Sequence, residues 1–207
     1  MTNILEMLDT DSIIRSSQVV SNNHIISLDE PISEPRKYRD IIHCLITASE
    51  GDFINILINS EGGRLDTALA IIEAMNSCPA TLMTTVVGSC YSAASMIACM
   101  SPSCVITDSA EFMIHTASYG SGGTVPNVRA HTEFTTAQID KLINKVYTGF
   151  LTAKEIDEVK KGREYWFTAD DARDRMDRRS DVISKQREAQ LRKQTAELKK
   201  ALKEIKQ

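Results

Sequence analysis

Three short segments carry the residue types that nucleophilic catalysis needs. Gly62-Gly63 lies between a buried-type apolar run and an amphipathic one. Two glycines there let the backbone approach a ligand closely and aim N–H groups at it, as anion and oxyanion sites require. An ordinary strand-to-helix turn has the same composition. Gly88-Ser89-Cys90-Tyr91-Ser92-Ala93-Ala94-Ser95 places Ser92 at the mouth of an apolar helix just after a strand. The hydroxyl can face a cleft there, and the first helical N–H groups can stabilise a developing negative charge. The spacing is not the Gly-x-Ser-x-Gly elbow, and Ser92 equally suits a helix cap. His115 ends the Phe112-Met113-Ile114 run and opens into Ser118–Thr124, a glycine-rich segment. A histidine at a strand end beside a loop suits a general base. Of the other histidines, His24, His43 and His131, the last two lie in helical stretches and read as structural or solvated.

The elements that must position these residues follow from periodicity. His24–Leu28 predicts a first strand, and Tyr38–Ala48 a helix with Ile41, Ile42, Leu45 and Ile46 on one face. Phe53–Ile58 is a nearly continuous apolar run, as in a strand buried on both faces. A helix follows over Leu65–Met75. Thr81–Val87 predicts a strand broken by Gly88, then a buried helix over Ser92–Met100. Cys104–Thr107 and Glu111–His115 read as two short strands, and Tyr165–Phe167 as a third. Helices are predicted from Asn127 to about Phe150, over Thr152–Lys161, and from a Thr168/Asp171 capping box. Strand, glycine turn and helix thus alternate twice, which argues for an α/β fold with right-handed crossovers.

Charge divides the chain in two. Residues 1–172 carry 12 Lys/Arg against 22 Asp/Glu, a net of −10, while residues 173–207 carry 12 against 6, a net of +6. An acidic body therefore bears a basic tail, whose Leu191, Leu198 and Ile205 recur every seven positions beside Leu202. The tail reads as a solvated helix docked on its own oligomer, or as an arm for an acidic partner, nucleic acid or a neighbour's acidic body. No aromatic residue follows Phe167, which argues against base stacking. The five cysteines match no zinc spacing and suit a reducing compartment. No export signal or membrane-length apolar run is visible, so a soluble, cytoplasmic protein is expected. No Walker-type loop is present, so any ATPase must be a separate chain.

Taken together, the segments resemble the proteolytic subunit of Clp protease (ClpP), a serine peptidase of the crotonase-like superfold. Asn59-Ser60-Glu61-Gly62-Gly63 is similar to that family's Asn-Ser-Pro-Gly-Gly oxyanion turn. Gly88-Ser89-Cys90-Tyr91-Ser92 resembles its nucleophile segment, and Met113-Ile114-His115 its base segment. The likeness runs from about His24 to Ala172. It implies repeated β-β-α units with a protruding handle helix, here about 116–150, whereas the basic helical C-terminal extension over 173–207 has no counterpart in the family. Residues 1–23 would form an N-terminal arm, and residues 24–172 the peptidase domain.

Carried over by position, the resemblance makes Ser92 the nucleophile and His115 its base, with the N–H groups of Gly63 and Ala93 forming the oxyanion hole. The third member falls on Glu164, where the family has aspartate; glutamate can orient a triad histidine. Asp157 and Asp170 are the fallbacks. Glu61 replaces the family's proline and should face solvent or a basic partner. After Ala172 the chain also departs from the family's usual ending, reading Arg173-Asp174-Arg175-Met176-Asp177. The resemblance implies hydrolysis of peptide bonds in unfolded or capsid-type proteins within a homo-oligomeric ring or stacked rings. It also implies a separate AAA+ ATPase unfoldase as partner, no metal, cofactor or membrane, and a bacterial or virus-infected cell as host. Two other readings are a catalytically inactive ring subunit with an assembly or regulatory role, and a crotonase-like acyl-CoA enzyme.

Overall fold

The computed structural model describes residues 20–205. Most of the expected N-terminal arm over 1–23, and the side chains of Leu202 and Ile205, lie outside what it describes. The elements in order are β1 (Asn23–Leu28), a 3₁₀ turn (Pro35–Tyr38), α1 (Arg39–Thr47), β2 (Phe53–Ser60), α2 (Leu65–Ser77), β3 (Thr81–Tyr91) and α3 (Ala93–Met100). There follow β4 (Cys104–Ile106), β5 (Glu111–Ile114), α4 (Val125–Tyr147), α5 (Ala153–Lys160), β6 (Tyr165–Phe167) and α6 (Ala169–Ile205).

One six-stranded sheet has the order β1-β2-β3-β5-β6, with β4 also paired to β3. Among the described residues only the β5–β6 pairing is antiparallel. The long β3 serves two neighbours on one edge in turn, β4 along Thr84–Val86 and β5 along Ser89–Tyr91. The mixed α/β architecture expected from the sequence is the one observed.

The apolar run of β2 does not produce a strand buried on both faces. Ile54, Ile56, Ile58 and Ser60 are buried, whereas Phe53, Asn55 and Leu57 are only half-buried and Asn59 is exposed. β3 repeats this one-sided pattern, with Leu82, Thr84 and Val86 inward. Side chains alternate across a pleated strand, so even a continuous apolar run presents only every second residue to one core. The inner face meets the apolar sides of α2 and α3, which contribute Ala68, Ile71, Ile72, Ala94 and Ile97 to the core.

Gly88 does not break β3 either. The β2–β3 register steps from Ile58↔Val86 to Ser60↔Cys90, so Val87, Gly88 and Ser89 lie opposite Asn59 alone. The Asn59 side chain fills this bulge, its Oδ1 accepting from the Ser89 N–H at 3.0 Å. A Cβ on Gly88 would sit 2.3 Å from that oxygen. The glycine is there to admit a side chain, and the strand continues past it to Tyr91.

α4 is 23 residues long, about 35 Å at the α-helical rise. It is buried only near its C-terminal end, through Ile139, Ile143, Val146 and Tyr147. The two helical segments read after Thr168 form one 37-residue helix, α6, which passes residue 172 without a break. Thr168 opens it, Oγ1 accepting from the Asp171 N–H at 3.3 Å. Ala169, Ala172 and Arg179 fasten its first turns to the body, while Leu191 and Leu198 are 55% and 64% exposed. The apolar stripe is thus bare along its described length. The Arg179 guanidinium is buried without a carboxylate, and it donates to the carbonyls of Cys99 (2.7 Å) and Thr148 (2.5 Å).

Candidate active site

The parallel pairing of β3 with β5 brings the segments of Ser92 and His115 together. The ladder ends at Tyr91↔Met113, and the Ser92 N–H extends it by donating to the Met113 carbonyl at 2.8 Å. Ser92 then leaves the strand with φ 53° and ψ −121°; among the described residues no other non-glycine has a positive φ. Such a conformer costs on the order of 1–3 kcal/mol and persists only where its surroundings impose it. It aims the side chain away from the helix: Ser92 makes no capping hydrogen bond, and Oγ lies 2.7 Å from His115 Nε2. The cap reading of Ser92 is therefore overturned, because the hydroxyl is committed to the histidine.

Gly62 makes this arrangement possible from the other side. Its φ is +86°, and a Cβ there would stand 2.4 Å from the Tyr91 carbonyl and 2.9 Å from Ser92 Cβ. The turn can touch Ser92 only without a side chain. Gly63 forms a parallel bridge with Ile32, but its neighbours carry the bonds: Ile32 N–H donates to Gly62 O (2.7 Å), and Arg64 N–H to Ile32 O (2.8 Å). In that pattern the Gly63 N–H points away from Ile32. Gly63, Ala93, Ser92 and His115 all line one cavity of about 1020 Å³. Its remaining wall is largely apolar, with Leu65, Met96, Met113, Leu142 and Ile143.

The position of Glu164 is set by the β5–β6 ladder. The pairs Phe112↔Phe167, Met113↔Trp166 and Ile114↔Tyr165 leave His115 opposite Glu164 one step further on. Glu164 Oε1 lies 3.7 Å from His115 Nδ1, an ion-pair distance and longer than a hydrogen bond. The carboxylate is 54% exposed and the imidazole 27%. Of the fallbacks, Asp170 is paired with Arg173, and Asp157 is exposed on α5. Glu61 is exposed on the cavity rim, and Arg64 beside it is held by Asp66 through two hydrogen bonds of 3.0 and 2.6 Å.

Other candidates lie elsewhere. His24 and His43 border a separate hollow with Asp40 and Asp52. His131 meets Ser121 at 3.1 Å on α4. Among the described residues no three His, Cys, Asp or Glu side chains stand together in a way that could hold a metal ion, and no helix is long and apolar enough to cross a membrane. Burial drives the thiols of Cys90, Cys99 and Cys104 up, the last two to about 12 and about 11, so they are poor nucleophiles. Two buried residues behind this site, Ser95 and Tyr147, carry no role in the sequence reading. The only hint was a serine three places after Ser92 inside an apolar helix.

A model of the Clp protease family matches residues 9–175. Among curated proteins, the chain is 29% identical over 125 residues to the ATP-dependent Clp protease proteolytic subunit 1 of Leifsonia xyli subsp. xyli, across 58% of this chain and 62% of that protein. The chain therefore spans less than two thirds of that relative's length. It is 27% identical over 158 residues to the ATP-dependent Clp protease proteolytic subunit 2 of Bifidobacterium longum, across 73% of this chain and 75% of that protein.

Proposed function

The chain belongs to the Clp protease family, and on that premise we propose that it is a serine endopeptidase with Ser92 as nucleophile and His115 as general base. The observation that carries this reading is the 2.7 Å contact between Ser92 Oγ and His115 Nε2 at the wall of a large, mostly apolar cavity. With the imidazole proton on Nδ1, Nε2 accepts from the serine hydroxyl.

As Oγ attacks a scissile carbonyl, the hydroxyl proton passes to Nε2 and the carbonyl oxygen becomes an oxyanion. The N–H groups of Gly63 and Ala93 stabilise that charge. The imidazolium then gives its proton to the leaving amine as the C–N bond breaks, leaving an acyl-enzyme. Water repeats the sequence: His115 takes its proton, the acyl–Oγ bond breaks, and the proton returns to Ser92. Glu164 faces Nδ1 and favours the imidazolium through its charge. The apolar wall suits an apolar substrate side chain.

The relatives' names describe proteolytic subunits of an ATP-dependent protease. By that likeness this chain acts as a subunit of an oligomeric chamber on unfolded or capsid-type proteins delivered by a separate ATPase. The 3.7 Å gap at Glu164 is what favours the alternative, a ring subunit without activity. A fluorophosphonate separates the two. The active reading expects a mass adduct on Ser92 that is lost in His115→Ala. A folded, oligomeric wild-type protein that never labels would support the inactive subunit.

A further inference from the structure

Inside α3, where seven of eight residues are buried, Ser95 is a fully buried hydroxyl at 0% exposure. Its Oγ donates to the Ser92 carbonyl at 2.7 Å and lies 2.8 Å from Oη of Tyr147, the last residue of α4. A serine hydroxyl has one proton. With that proton on the Ser92 carbonyl, the second bond must run from the Tyr147 O–H to Ser95 Oγ. Burial pushes the Tyr147 phenol well up, so it remains protonated and a donor. The direction is therefore Tyr147 to Ser95 to Ser92 C=O, and each bond polarises the next.

What this chain grips is the peptide plane between Ser92 and Ala93. In a planar trans peptide the C=O and the following N–H point in opposite directions, and no cis bond is present among the described residues. The helix by itself holds the Ser92 carbonyl through the Met96 N–H at a long 3.3 Å. Ser95 adds the shorter bond, drawing that oxygen inward, so the Ala93 N–H is turned outward at the wall of the cavity. The unusual dihedrals of Ser92 make this anchor necessary, since nothing in its local preference would keep the plane in place.

We infer that Ser95 and Tyr147 are positioning residues that set the direction of the Ala93 N–H donor through the Ser92 carbonyl. This rests on the serine-peptidase reading, in which that N–H meets the oxyanion. Because the oxyanion forms only as the reaction proceeds, the pair acts on kcat and leaves substrate binding unchanged.

The test uses the full chain with Ser95→Ala, Tyr147→Phe and the double substitution. Two signals are followed: kcat and KM on a fluorogenic peptide with the rate of fluorophosphonate labelling, and the Ala93 amide cross-peak in protein carrying ¹⁵N-alanine. Ser95→Ala is expected to lower kcat and labelling about ten-fold at unchanged KM and to shift the Ala93 cross-peak. Tyr147→Phe, which removes a single oxygen and keeps the ring, is expected to shift the peak in the same direction by less. In the Ser95→Ala background it should add nothing, because Tyr147 acts only through Ser95. Additive losses, or variants that melt earlier with kcat and the Ala93 peak as in wild type, would overturn the inference. A wild type that neither labels nor hydrolyses would sink the peptidase reading instead, and the cross-peak would still decide the positioning role.

Discussion

His115 and Glu164 face each other one step beyond the last pair of the β5–β6 ladder, with Nδ1 and Oε1 3.7 Å apart. The ladder delivers the carboxylate to the correct side of the imidazole but leaves it half in solvent. A half-exposed carboxylate in the high dielectric of water interacts weakly and does not fix the ring as a buried hydrogen-bonded carboxylate would. Glu164→Ala is therefore expected to cost about ten-fold in kcat, against about 10²–10⁴ for His115→Ala. Peptide hydrolysis by the two variants checks the ranking, and equal losses would mean that Glu164 closes onto Nδ1 during the reaction.

Gly62→Ala places a methyl group 2.4 Å from the Tyr91 carbonyl and 2.9 Å from Ser92 Cβ, at φ +86°. It is expected to cost about 1–3 kcal/mol of stability and to abolish labelling of Ser92. Gly122→Ala, with nothing within 4 Å of the added carbon, should leave both unchanged. Thermal unfolding and fluorophosphonate labelling measured together distinguish the two outcomes.

Arg179 is the buried tie between α6 and the body. Arg179→Met leaves the buried Cys99 carbonyl and the partly buried Thr148 carbonyl without this donor, and an unsatisfied buried acceptor costs about 1–3 kcal/mol. Relief from burying a guanidinium offsets part of that, so a net loss of about 2 kcal/mol is expected. Urea unfolding reads it. A stability equal to wild type would show that the desolvation cost cancels the hydrogen bonds.

Glu155 links α5 to α6 through Arg175, by bonds of 3.0 and 2.8 Å, and its carboxyl is held down to about 2 mainly by that guanidinium. Its ordinary value is 4.5. A group whose pKa is lowered by folding stabilises the protein above the unfolded value and loses that contribution as pH falls through the folded one. Stability is therefore expected to decline between about pH 4.5 and 2. Glu155→Gln should flatten this part of the profile while lowering stability at neutral pH. An unchanged acid limb in Glu155→Gln would contradict the assignment.

The cysteines should divide by environment. Cys90 and Cys99 are buried, and desolvation raises the thiol of Cys104 to about 11. Native alkylation with iodoacetamide is expected first at Cys78, more slowly at Cys44, whose thiol burial also pushes up, and at the other three only after unfolding. Peptide mapping by mass spectrometry shows the pattern, and early modification of Cys99 would mean that α3 opens in the native state.

Much of the α/β order was legible in the sequence, because α2 repeats the period that the backbone sets and because β2 and α3 stand out as short apolar runs beside glycine turns. The errors came where a distant side chain decided. Gly88 looks like a strand breaker until Asn59 is seen in the bulge opposite it. Ser92 looks like a cap until its dihedrals turn the hydroxyl toward His115. A tail helix was visible in composition, but its attachment through Arg179, with the Cα of that residue against Gly149, was not.

By itself the sequence determined which residues could react, and which local elements present them, since residue type and periodicity are properties of neighbours along the chain. Only the tertiary structure decided how they meet. Ser92 and His115 are joined by the β3–β5 ladder, His115 and Glu164 by the register of β5–β6, and Ser92 and Tyr147 through Ser95. These contacts span long stretches of chain, and their geometry follows from ladder register and core packing, which no local pattern encodes.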